Sequence, residues 1–145
     1  RRDYSKIING RNPIIAHEYL GNSVEGMDVF IADDIISSGE SVLDIAYALK
    51  EKKANKIYAY ATYGLFTDGF EKFDKAYNDG YIDGILGTNL TYRSDELLKK
   101  EWFMEVDVSK YIAYFIAAIN HDVSISTVID PHEKIHQLLK KYNQK

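Results

Sequence analysis

Short apolar runs alternate along this chain with segments whose apolar residues recur at helical spacing. The runs lie at 29–32, 56–61, 82–86 and 102–106, and their lengths suit buried strands. The segments that follow them carry, in turn, Val42, Ile45, Ala46 and Leu49; Phe70, Phe73 and Tyr77; Ile112, Phe115, Ile116 and Ile119; and, after Pro131, Ile135, Leu138 and Leu139. Strands separated by helices predict an α/β fold with a mainly parallel, doubly wound sheet flanked by helices.

The length and charge of the chain limit what it can be. A chain of 145 residues, 46% hydrophobic and 28% charged, suits one compact domain, which we predict over 1–145. The formal net charge is −4, and Lys and Arg are scattered rather than clustered. This pattern argues against nucleic acid or a membrane surface as a partner, since both require a basic face.

Cysteine is absent, which excludes disulfide scaffolds, thiolate metal sites and cysteine nucleophiles. No apolar run approaches the ~18 residues of a membrane span, and no signal peptide is visible. These observations predict a soluble, cytoplasmic protein. The sequence begins with Arg1 rather than Met, and we expect it to be a piece of a longer protein.

The amino-terminal end carries turn dipeptides among charged residues. Asn9–Gly10 and Asn12–Pro13 predict an exposed polar loop over 1–13, and the apolar residues at 13–16 predict a short strand.

The clearest candidate site follows the apolar run at 29–32. Asp33 and Asp34 lie at the end of this strand and begin a polar turn that we predict over 33–39. The residues that lead into the following helix are Ser37, Ser38, Gly39, Glu40 and Ser41. Amides at a helix start and serine hydroxyls bind phosphate, while carboxylates accept hydrogen bonds from sugar hydroxyls or bind Mg²⁺. A phosphorylated sugar diol would match both groups. Ser41 and Asp44 also resemble a capping box that would start the helix near Ser41.

The residue pattern alone leaves a structural alternative open. In this alternative the two aspartates only cap the turn and the serines only satisfy main-chain groups, because helix starts are commonly polar. The segment is neither a Walker A loop nor a dinucleotide-binding glycine turn, since it lacks both glycine patterns.

The stretch 29–41 resembles the phosphoribosyl pyrophosphate motif of the class I phosphoribosyltransferase superfamily. That motif consists of an apolar strand, two acids, two apolar residues, a small hydroxyl-rich turn and a helix. Flanking segments resemble the carboxyl-terminal half of ribose-phosphate pyrophosphokinases, and they lie at 1–4, 12–21, 61–67, 88–92 and 106–113. The resemblance covers nearly the whole chain and weakens after about Asp130.

The resemblance implies a function and a set of roles. Ribose-phosphate pyrophosphokinases transfer the diphosphoryl group of ATP to the C1 hydroxyl of ribose 5-phosphate, with Mg²⁺, and assemble into oligomers. By this similarity the residues at 37–41 would bind the 5-phosphate. Asp33 and Asp34 would bind the ribose hydroxyls, directly or through Mg²⁺. Arg1 and Arg2 fall on the mobile catalytic loop, and Arg2 matches the catalytic arginine.

The chain departs from the family pattern at several positions. The lysine that should precede Arg1 is absent, as are the family's upstream adenine-binding and metal-binding segments, so we expect this chain alone to be inactive. Glu40 replaces a glycine of many relatives and would repel a phosphate unless its side chain points away. Ser37 replaces an acid, which favours anion binding.

Other functions compete with this one. A phosphoribosyltransferase would use the same motif, and a catalytically silent associate of the synthetase would retain the fold. His132, Glu133 and His136 match a zinc protease pattern, but an exposed amphipathic helix explains them better. Thr88 and Asn89 either line the pocket floor or cap a turn. The aromatic residues Tyr58, Tyr60, Trp102 and Phe115 fit a core or a subunit interface.

Overall fold

A computed structural model describes Ser5 and residues 20–143, except the side chains at 127 and 128. The loop predicted at 1–13, apart from Ser5, and the strand predicted at 13–16 lie outside the described residues. The chain divides into two compact units, one ending at Val106 and the other beginning at Asp107. A single domain over 1–145 stays a prediction.

The first unit alternates strands and helices. Its elements are β1 (Val29–Ile36), α1 (Glu40–Glu51), β2 (Ile57–Gly64), α2 (Glu71–Asn78), β3 (Gly84–Thr88), α3 (Asp95–Leu98) and β4 (Phe103–Val106). The strands form a parallel sheet in the order β1-β2-β3-β4. The predicted α/β class, with a parallel sheet and flanking helices, is confirmed. Among the described strands, the order in the sheet is the same as the order in the sequence. In a doubly wound sheet that order reverses at one point, which here would require a further strand beside β1, on the side away from β2.

The strand β1 is longer than predicted. We expected a polar turn from Asp33 to Gly39, but the ladder continues through Ile36, which pairs with Gly64 of β2. Burial explains the extension, because the Ile36 side chain is only 2% exposed. The connection to α1 therefore consists of three residues, Ser37 to Gly39.

The predicted capping box is wrong. The helix α1 begins at Glu40, and its N-cap is Gly39, which has a left-handed φ of 85° and no side-chain cap. Ser41 lies inside the first turn, where its side chain cannot act as the N-cap. The helix itself matches the prediction, since Val42, Ala46 and Leu49 are buried on one face.

The helix α3 was not predicted. The Ser94 side chain accepts a hydrogen bond from the Leu97 amide at 3.1 Å and so caps this single turn. The pair of acids that follows Ser94 is a helix-start signal in the sequence. The segment was overlooked because four residues are too few to show an apolar period.

The core of the first unit combines α1 and α2 with alternate residues of β2. Ile57, Ala59 and Ala61 are all fully buried, as strand alternation requires. An aromatic cluster closes the core, with the Phe66 ring 5.1–6.1 Å from its neighbours. Those neighbours are Phe70, Phe73, Trp102 and Phe103. Trp102 is therefore a core residue.

Asp74 ties α2 to the start of β4. Its carboxylate accepts hydrogen bonds from Lys100 Nζ and Trp102 Nε1, both at 2.7 Å. Partial burial works to raise the pKa of Asp74, but the bonds from Lys100 and Trp102 together outweigh it, and the pKa is lowered.

The lowered pKa predicts a pH-dependent contribution to stability. The contribution of the Asp74 carboxylate is complete above its unfolded pKa of about 4 and is lost as pH falls through the lower folded pKa. Asp74→Asn should therefore be less stable than the wild type at pH 7, and the gap should narrow below about pH 4. Urea unfolding at pH 7 and pH 3 measures this difference in stability. Asp79→Asn is the control, because Asp79 pairs with Lys75 at an exposed site. A gap that does not change with pH would count against this role.

The second unit is helical. It consists of α4 (Ser109–Asn120), α5 (Ser126–Ile129) and α6 (His132–Tyr142). The predicted helices at Ser109 and after Pro131 are confirmed, whereas α5 was not predicted. Lys134 Nζ lies 4.9 Å from the centre of the Tyr111 ring and joins α6 to α4. No helix among the described residues is both long and apolar enough to cross a bilayer.

Candidate functional site

An open cleft lies where β1 ends and α1 begins. Its volume is about 360 Å³. The residues that line it are Asp33, Ile35, Ile36, Ser37, Ser38, Gly39, Ser41 and Val42. The carboxyl end of a parallel strand, followed by a helix start, is where α/β proteins usually bind ligands.

The wall of the cleft carries unpaired main-chain donors. The amides of Ser38, Gly39, Ser41 and Val42 donate to no acceptor among the described residues. The first main-chain bond of the helix runs from the Leu43 amide to the Gly39 carbonyl at 3.0 Å. These amides lie at the positive end of the twelve-residue helix α1, so the wall is suited to an anion.

Gly39 has a structural reason to be glycine. Its φ of 85° is left-handed, and a Cβ atom added there would overlap the Phe73 ring, which is fully buried. The contact with Phe73 was not predicted, because these residues are 34 positions apart in the sequence. It holds the end of the loop against the core.

The two adjacent aspartates have different surroundings. Asp33 is half-buried and lines the cleft, and its Oδ1 accepts the Asp34 amide at 2.8 Å. Asp34 is exposed and is not among the lining residues. Both belong to β1, where successive side chains point to opposite faces of the sheet. The structure therefore brings Asp33, but not Asp34, together with the serine turn.

Glu40 also lies apart from the cleft. Its Oε1 is 3.6 Å from Lys72 Nζ, and the same ammonium group is 3.5 Å from Asp68 Oδ2. The carboxylate is thus directed toward α2, which reduces the repulsion expected between Glu40 and a phosphate. The ion pair is exposed, so we assign it no large contribution to stability.

Thr88 serves the sheet rather than the cleft. Its Oγ1 donates to the Thr62 carbonyl at 2.6 Å and accepts from the Leu90 amide at 3.2 Å. The side chain is 2% exposed. Of the two predicted roles for Thr88, turn capping is the one that fits these contacts.

Two groups of residues bear on metal binding, one in the cleft and one at the start of α6. Among the described residues, no group of three or more His, Cys, Asp and Glu side chains is arranged to hold a metal ion. Mg²⁺ requires fewer protein ligands, since it retains waters and binds substrate phosphates, so the Asp33 carboxylate fits such an ion. In the zinc protease pattern, His132 Nδ1 is 2.5 Å from Asp130 Oδ1. The His132 amide also donates to Asp130, and these two bonds lower the pKa of Asp130.

The chain is similar to proteins of known family. A family model described as the phosphoribosyl synthetase-associated domain matches residues 10–130. The chain belongs to this family. The match ends where the resemblance was expected to weaken, and Arg1 and Arg2 lie outside it and outside the described residues.

Ribose-phosphate pyrophosphokinases are among the curated relatives of the chain. The chain is 30% identical over 125 residues to a ribose-phosphate pyrophosphokinase of Shewanella oneidensis, covering 84% of this chain and 39% of the relative. It is 36% identical over 69 residues to one of Pyrococcus abyssi, covering 47% and 24%. The chain thus spans well under half the length of these relatives. The resemblance inferred from the sequence is confirmed.

A solved structure shares the fold. The crystal structure of phosphoribosylpyrophosphate synthetase from Mycobacterium smegmatis superposes with a TM-score of 0.61 at 17% identity. The superposition covers 70% of this chain and 33% of that one. At this identity the likeness establishes the fold and nothing finer.

Proposed function

We propose that this chain is the ribose 5-phosphate-binding, carboxyl-terminal half of a ribose-phosphate pyrophosphokinase. The complete enzyme would transfer the diphosphoryl group of ATP to the C1 hydroxyl of ribose 5-phosphate, giving phosphoribosyl pyrophosphate and AMP. The observation that carries the proposal is the cleft at the end of β1, which is lined both by Asp33 and by the four residues whose amides have no acceptor among the described residues.

The two kinds of group that line the cleft suit the two ends of the substrate. The amides of Ser38, Gly39, Ser41 and Val42 would bind the 5-phosphate, assisted by the Ser38 and Ser41 hydroxyls and the positive end of α1. The Asp33 carboxylate accepts hydrogen bonds but donates none, so it suits the ribose hydroxyls and would repel a phosphate. This polarity orients the sugar along the cleft.

The remaining parts of the proposal rest on the family. Arg2, with Arg1 beside it, would neutralise charge on the transferring phosphates, as expected where catalysis depends on positioning and electrostatics. Mg²⁺, when bound, would neutralise charge on the ATP phosphates. Asp33 or Asp34 would lie near the ion or bind it through a water molecule. We propose that the complete enzyme is a homo-oligomer in the cytoplasm.

Ligand-dependent stability tests the proposal. Ribose 5-phosphate at 100 times its Kd should raise the free energy of unfolding by about 2.7 kcal/mol, because it binds only the native state. That corresponds to a Tm increase of roughly 5–10 °C for a chain of this size. Differential scanning fluorimetry measures it, with ribose and inorganic phosphate as controls. A shift no larger with ribose 5-phosphate than with inorganic phosphate would refute sugar recognition.

A further inference from the structure

The three-residue connection between β1 and α1 is held by a residue that follows β2. The Thr67 amide donates to the Ser37 carbonyl at 2.9 Å, and Thr67 Oγ1 lies 3.3 Å from Ser37 Oγ. Thr67 Oγ1 also donates to Asp68 Oδ1 at 3.3 Å. These contacts fix the first residue of the phosphate loop, which we define as Ser37, Ser38 and Gly39.

The number of hydroxyl protons indicates which side chain donates in the contact between Ser37 and Thr67. A hydroxyl has one proton, and that of Thr67 is directed to the Asp68 carboxylate, so the Thr67 oxygen is an acceptor toward Ser37. In this arrangement Ser37 Oγ donates to Thr67 Oγ1, whereas the 3.3 Å distance by itself allows either oxygen to donate. In this arrangement the Ser37 proton serves the bond to Thr67 rather than a bond to a phosphate.

We propose that Thr67 is a positioning residue for the phosphate loop, and that Ser37 anchors the loop instead of binding the phosphate. The inference rests on the proposed function, since it concerns how the same cleft holds the same substrate. It divides the serines by role: Ser38 and Ser41 remain ligands of the phosphate, whereas Ser37 links the loop to Thr67 and Asp68.

Anchoring at both ends would preorganise the loop. The Ser37 end is bound to Thr67, and the Gly39 end lies against the Phe73 ring. A loop that is already ordered loses little conformational entropy when the phosphate binds, and this improves affinity without a new contact to the ligand.

A pair of matched substitutions isolates the hydroxyl. Thr67→Val removes it and keeps the side-chain shape, Thr67→Ser keeps it, and both retain the main-chain bond. Thr67 is exposed, so neither change should prevent folding. We expect Thr67→Val to raise the Kd for ribose 5-phosphate about five- to tenfold, as for one lost hydrogen bond, and Thr67→Ser to leave it within about twofold. Adding Ser37→Ala to Thr67→Val should cause no further loss, because both remove the same bond.

A readout without ligand separates this inference from the proposed function. In ¹⁵N relaxation of the unliganded chain, Thr67→Val should lower the order parameters of Ser38 and Gly39 from about 0.85 toward about 0.6, and Thr67→Ser should not. Unchanged order parameters in Thr67→Val, or equal effects of both variants, would overturn the inference. If the order parameters respond as expected but the wild type does not bind ribose 5-phosphate, the anchoring stands and the proposed function fails.

Discussion

Gly39→Ala is expected to lower the free energy of unfolding by about 2–5 kcal/mol. Two costs add at this position. A left-handed φ of 85° costs a residue with a Cβ atom about 1–2 kcal/mol. The new methyl group would also overlap the buried Phe73 ring, and overpacking of a core typically costs about 1–3 kcal/mol. Urea unfolding of the chain measures the sum.

Gly80→Ala is the matched control for this change. Gly80 has a similar φ of 75°, but an added Cβ atom would meet nothing within 4 Å. Gly80→Ala should therefore lower the free energy of unfolding only by the cost of the left-handed backbone, about 1–2 kcal/mol. If the two variants lose the same stability, the contact between Gly39 and Phe73 has no energetic importance, and the account of how the phosphate loop is held is wrong.

Asp33→Asn is expected to weaken ribose 5-phosphate binding by about 10- to 100-fold while leaving inorganic phosphate binding unchanged or tighter. The carboxylate loses its charge and part of its capacity to accept hydrogen bonds from the sugar, which accounts for the loss. The same neutralisation removes a repulsion from any bound phosphate, which accounts for the opposite response. Isothermal titration with both ligands measures the two effects.

Asp34→Asn is the isosteric control for Asp33→Asn. Asp34 is exposed and does not line the cleft, so its substitution should change the affinity of this chain for ribose 5-phosphate by less than about threefold. Equal losses in the two variants would contradict the separation of the aspartates described above. A loss of inorganic phosphate binding in Asp33→Asn would contradict the assignment of Asp33 to the sugar.

Local patterns in the sequence were sufficient for the fold class. Apolar runs predicted all four strands, and helical spacing predicted α1, α2, α4 and α6. The predicted ends of the strands are less accurate where pairing between strands determines them. The two acids before Ile35 and Ile36 predict a turn there, but pairing with β2 and burial of Ile36 extend the strand. The short helices α3 and α5 were missed because four residues carry too little period.

The candidate site was only partly accessible to sequence reasoning. A polar turn between a strand and a helix predicted the position of the cleft, because each of these elements has a pattern visible in a short stretch of sequence. The pattern could not separate Asp33 from Asp34, because that depends on which face of β1 each side chain occupies. The contacts of Ser37 with Thr67, of Gly39 with Phe73 and of Glu40 with Lys72 join residues about 30 positions apart, and no local signal predicts them.

The central claim is that unpaired amides at the start of α1 bind the phosphate of a phosphorylated sugar. A ¹⁵N–¹H titration of the labelled chain with ribose 5-phosphate tests it most directly, because each amide reports separately. We expect the largest, saturable shifts at Ser38, Gly39, Ser41 and Val42, and none there on titration with ribose. Saturable shifts confined to other parts of the chain, with these four amides unchanged, would contradict the claim.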